Sequence, residues 1–82
     1  MLIASQTTVT TTPTLIYQGD GATTIFLHGA GGAIHIGGSD VTASNGFLMD
    51  NGDKLSFEIH MDNLYAVVAN GTATLYSLVV TK

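Results

Sequence analysis

An all-β fold, a small β-sandwich or barrel of short antiparallel strands, is predicted by three observations. Apolar and polar residues alternate at a period of two in several short runs. Glycine and Asx turns punctuate the chain at roughly 8–12-residue spacing, as in small sandwiches. Glycine and β-branched residues interrupt every window that could hold a helix. The clearest alternation is Lys54 to His60, with Leu55, Phe57 and Ile59 on one face and Ser56, Glu58 and His60 on the other. Ile34-His35-Ile36 repeats it and runs into Gly37-Gly38, where the chain can reverse at once.

The sequence predicts two regions, an extended N-terminal arm over 1–13 and a β-domain over 14–82. In the arm, threonines crowd around Val9 and Pro13 without a single charge. β-Branched residues favour extended backbone, and Pro13 pushes Thr12 the same way. A disordered linker is one reading of such a segment. An arm lying on a neighbouring subunit or on a larger partner is favoured, because Leu2, Ile3 and Val9 are poor residues to leave in water. Leu2, Ile3, Thr7, Val9 and Thr11 are therefore its candidate contacts.

The β-domain divides into strands by its turns. Thr14 to Gln18 is closed by Gly19-Asp20-Gly21, and Ala22 to His28 by Gly29-Ala30-Gly31-Gly32. Ala33 to Ile36 follows, then a bridge from Val41 towards Phe47-Leu48. Asn51-Gly52 and Asn70-Gly71 are hairpin signals, placed before Lys54 to His60 and before Thr72 to Thr81. Met61-Asp62-Asn63 turns the chain into Leu64 to Ala69. The last strand is apolar on both faces, with Leu75 and Val79 on one side and Tyr76, Leu78 and Val80 on the other. That suits a central strand or one buried at a subunit contact.

Composition narrows the function. A chain of 82 residues buries only about 60–65% of its unfolded surface, so small scaffolds usually need a staple. Disulfides and thiolate metal sites are excluded because there is no cysteine. Charged residues are 10% of the chain and hydrophobic ones 45%, against a usual charged fraction of about 25%. So few charges imply a surface covered by a partner, which makes oligomerisation the expected staple. Lys54 and Lys82 are the only basic residues and the net charge is −4, which argues against binding a nucleic-acid backbone. The apolar start, Met1-Leu2-Ile3-Ala4, lacks the basic flank of a signal peptide. No run approaches the roughly 20 apolar residues of a membrane-spanning helix. A soluble protein is expected.

Chemistry-bearing patterns are sparse. His28, His35 and His60 are the only plausible ligands or bases, and three copies of one near a threefold axis could hold zinc. Their outward or terminal strand positions fit plain polar surface better, so no metal is expected. Asp50 and Asp53 flank a turn without the longer calcium-loop pattern, and turn formation explains them. Neither glycine segment carries the Gly-Lys-Ser/Thr ending of a phosphate loop. No serine sits in a nucleophile elbow. Neither an enzyme nor a cofactor is expected.

Five elements carry a resemblance: Ile36-Gly37-Gly38-Ser39-Asp40-Val41-Thr42, Asn45-Gly46-Phe47, Gly52-Asp53-Lys54-Leu55, Leu64-Tyr65-Ala66 and Gly71-Thr72-Ala73-Thr74. In this order the chain, over roughly 14–82, resembles small virion proteins of tailed bacteriophages. Leu48 stands where those proteins often have proline, and His28-Gly29-Ala30 where asparagine is common. The resemblance implies a capsid decoration (cement) protein on the outer surface of the head, made in the bacterial cytoplasm and binding the major capsid protein as a homo-oligomer, a trimer. A tail or fibre module is the alternative it leaves open. A carbohydrate-binding sandwich is a further one, disfavoured because there is no tryptophan.

Overall fold

The computed structural model describes residues 2–19, 22–60 and 62–80. The expected Asp20-Gly21 and Met61 turn positions, and the strand end at Thr81, lie outside them. Eight strands follow in order: β1 (Leu2–Val9), β2 (Thr14–Gln18), β3 (Ala22–Ala30), β4 (Ile34–Gly37), β5 (Phe47–Met49), β6 (Lys54–His60), β7 (Asn63–Val67) and β8 (Ala73–Val80). They form two antiparallel four-stranded sheets, ordered β1-β8-β3-β6 (sheet A) and β2-β7-β4-β5 (sheet B). The sheets pack face to face as a β-sandwich. Its core takes Val9, Ile25, Leu27, Ile59, Leu75 and Val79 from sheet A and Ile34, Ile36, Met49, Leu64 and Ala66 from sheet B.

Successive strands mostly change sheet, and only the β4–β5 link stays within one. This corrects the expected hairpins. Asn51-Gly52 and Asn70-Gly71 both turn the chain, with Gly52 at φ 87° and Gly71 at φ 67°. Each is an arch from sheet B to sheet A. The first is a four-residue turn in which the Asp53 amide donates to the Asp50 carbonyl (2.9 Å) and the Asp50 amide donates to Asp53 Oδ2 (3.0 Å). It is tied to the β3–β4 turn by Gly52 N–H to Gly29 O (2.9 Å) and Gly31 N–H to Asn51 Oδ1 (3.1 Å). Asp50 and Asp53 are thus engaged as turn formers.

The N-terminal segment is extended, as expected, but 2–9 is not an arm. It pairs with β8 along the whole strand, from Leu2 opposite Val80 to Val9 opposite Ala73. Val9 is fully buried in the core. The reason is geometric: without β1, β8 would be an edge strand with its apolar residues and backbone groups unpaired. β8 is instead central, between β1 and β3. The inward phase of β6 is as expected, but burial is graded: Ile59 is buried while Leu55 and Phe57 are half-buried.

Val41 does not begin a strand bridge. Residues 38–46 fold as a loop over the outer face of sheet B and bury Val41. The loop is built by a reciprocal pair. Thr42 Oγ1 accepts from the Ser44 and Asn45 amides (3.2 Å each), and Asn45 Oδ1 accepts from the Thr42 amide (2.7 Å). This arrangement is that of a helix capping box, used here for a single turn. Gly46 then passes beneath it, and a Cβ there would lie 2.7 Å from His35 Cβ and 2.8 Å from Val41 Cγ2.

Candidate interaction surface

The two outer faces of the sandwich are finished differently. Sheet B is partly covered by the chain's own 38–46 loop, which buries its Val41 against Val67 and leaves His35 half-buried, while Leu15 and Leu48 stay exposed on the same face. Sheet A has no such cover. Its outward side chains lie in cross-strand rows. One is Leu2-Val80-Thr24-Glu58, the next Ala4-Leu78-Phe26-Ser56, the third Gln6-Tyr76-His28-Lys54.

These rows are apolar towards β1 and β8 and charged only at β6. Leu2 is 67% exposed, and Phe26, Tyr76, Leu78 and Val80 lie between 38% and 44%. A shallow groove runs among Ala4, Gln6, Phe26, Tyr76 and Leu78. His28 flanks it, its ring tilted 46° to Tyr76 at a centroid distance of 5.9 Å. Single exposed apolar residues are normal, whereas a contiguous set on one sheet face is the pattern typical of interaction surfaces.

A second apolar feature lies at the opposite side of the molecule, where edge strands β5 and β6 leave the sandwich open. Phe47, Leu55, Phe57, Ile36 and Leu64 line a slot of about 350 Å³. Phe47 remains 63% exposed beside it.

The structure separates the residues expected to form one contact arm. Leu2 belongs to the apolar face of sheet A, while Ile3 and Thr7 are on the inward side of β1. Val9 is in the core and unavailable to a partner, and Thr11 lies in the link to β2. Phe26, Leu78 and Ala4 were missed as surface residues. The doubly apolar β8 carried part of that signal, but the burial of one of its faces depends on sheet order.

The three histidines lie apart: His28 on sheet A, His35 beneath the sheet B loop, and His60 at the end of β6 against exposed Glu58 (3.1 Å). Among the described residues, no three His, Cys, Asp or Glu side chains converge on one point. His35 Nδ1 is buried and finds no hydrogen-bond partner among them. Comparison with protein-family models, curated proteins and solved structures finds no match to this chain.

Proposed function

We propose that this chain is a capsid decoration protein of a tailed bacteriophage, an oligomer that binds the outside of the head and bridges its subunits. The contiguous apolar face of sheet A, formed by Leu2, Phe26, Tyr76, Leu78 and Val80 with no loop across it, carries the reading. The low charge content and the resemblance to small virion proteins support the same conclusion. The action is mechanical. A protein that binds only the assembled shell stabilises it by about 2.7 kcal/mol per site at a hundredfold excess over Kd.

The test adds the purified chain to heads of the parent phage that lack it, counts bound copies and heats the decorated shells. Saturable binding and a higher disruption temperature are expected. Binding to tails and not heads would make the chain a tail or fibre module instead, and binding to neither would remove it from the virion.

A further inference from the structure

Three Asn-Gly pairs stand in this chain, at 45–46, 51–52 and 70–71, and all three asparagines are exposed. In such a pair the asparagine side chain is open to attack by its own backbone. Glycine lacks the Cβ that would hold the following amide nitrogen away from the side-chain carbonyl carbon. The attack also needs that nitrogen free of an acceptor, the asparagine side chain free to turn towards it, and a backbone that can rotate. The three pairs differ in these conditions.

Asn45-Gly46 is held on both sides. The Gly46 amide donates to the Thr42 carbonyl (2.9 Å), Asn45 Oδ1 accepts from the Thr42 amide (2.7 Å), and Asn45 Nδ2 donates to the Asp40 carbonyl (3.4 Å). Asn51-Gly52 is held in the same way. The Gly52 amide donates to the Gly29 carbonyl (2.9 Å), and Asn51 Oδ1 accepts from the Gly31 amide (3.1 Å). Crowding is not what protects it, since a Cβ on Gly52 would meet nothing within 4 Å.

Asn70-Gly71 lies in the arch from β7 to β8, where residues 69–72 are all exposed. Among the described residues, neither the Asn70 side chain nor the Gly71 amide makes a hydrogen bond, and a Cβ on Gly71 would meet nothing within 4 Å. Anchored backbone stops at the Val68 amide, which donates to the Thr10 carbonyl (3.0 Å), and resumes at Ala73, where β8 begins.

We infer that Asn70 is a site of spontaneous deamidation in the folded protein, converted to aspartate and isoaspartate while Asn45 and Asn51 stay amides. The Gly71 nitrogen loses its proton to solvent base, forms a bond to Asn70 Cγ and closes a five-membered succinimide. The bond from Cγ to Nδ2 breaks, and Nδ2 leaves as ammonia with a proton from water. Water then adds to one of the two ring carbonyls and reopens the ring. Opening at one carbonyl gives aspartate, and opening at the other gives isoaspartate, whose backbone runs through the former side chain. Water is the sole co-reactant, and nothing is oxidised or reduced. Each product adds one negative charge to a chain whose net charge is −4. Isoaspartate also lengthens the arch by a methylene. Copies that begin identical thus become unequal with age at one defined position, whatever the chain assembles with.

The test incubates the folded, full-length protein at mildly alkaline pH and follows each asparagine by fragment mass spectrometry, because replacing NH2 by OH raises the mass of the residue affected. Asn70 should convert first, and faster as the pH rises. Asn45 and Asn51 should react about tenfold or more slowly, because at least two hydrogen bonds must open at each before the nitrogen is free. In denaturant all three should convert at similar rates, so that folding and not the neighbouring sequence sets the order. Equal rates at the three positions in folded protein would overturn the inference. So would an Asn70 as slow as Asn45 or Asn51, or the same order of reactivity persisting in denaturant. None of these outcomes depends on heads, so the functional reading and this inference stand or fall separately.

Discussion

Leu75 is fully buried at the inward phase of β8, between Thr7 of β1 and Gly29 of β3. Its replacement by alanine should cost about 2–5 kcal/mol, the range for deleting a buried leucine side chain. Phe57→Ala should cost less, although it removes more atoms, because that ring is only partly buried at the margin of the core. Urea unfolding of both variants gives the order, and a larger loss at Phe57 would mean that the slot is closed in solution. Gly46 makes a different demand. Its backbone angle is not the issue; a methyl group there would meet His35, Val41 and the Thr42 carbonyl. Gly46→Ala should destabilise by about 1–3 kcal/mol through overpacking. Wild-type stability in the same assay would show that the 38–46 loop lifts away freely. The sequence marks Asn45-Gly46 as a turn by local chemistry. It carries no sign that the glycine is needed for space, since His35 and Val41 reach it only after the chain folds back on sheet B.

Strand positions are legible because alternation is local. The Lys54–His60 run and the Thr14–Gln18 run coincide with β6 and β2. Strand partners are not legible, because a period of two says which face a residue takes and nothing of its neighbour across the ladder. For that reason Asn51-Gly52 and Asn70-Gly71 read equally well as hairpins and as the inter-sheet arches they form. The same limit hid the role of β1, whose threonines fit an arm or a strand. The structure decides between them through Val9 and the β8 register. Deleting residues 1–9 should therefore unfold or severely destabilise the domain: it removes a core side chain and exposes β8 as an edge. Far-UV circular dichroism and proteolysis of the truncated chain check this. A truncated protein that resists protease like the full chain would return 2–9 to the status of an appendage.

For the whole molecule, the sequence signal was a deficit: too few charges to solvate an 82-residue surface. That deficit leads one to expect a covered surface without locating it, because the location of exposed apolar side chains depends on how the sheets and the 38–46 loop pack. The structure leaves sheet A open, and Leu78 lies in its central row, flanked by Ala4 and Phe26. A carboxylate at Leu78 should be tolerated by the isolated chain, where the position is 38% exposed, since surface substitutions usually change stability by only about 0.5 kcal/mol. In an assembly it would bury an unpaired charge beside its symmetry copies, which is strongly unfavourable. The two states are separable by thermal unfolding at a series of protein concentrations. Association stabilises by mass action, so the wild-type Tm should rise with concentration, while that of Leu78→Glu should stay flat near the wild-type low-concentration limit. A wild-type Tm independent of concentration, with sedimentation showing a folded 8.5 kDa species, would mean that the apolar face of sheet A is covered by a different molecule or left open. A variant that unfolds early at every concentration would mean that Leu78 supports its own chain's packing more than an interface.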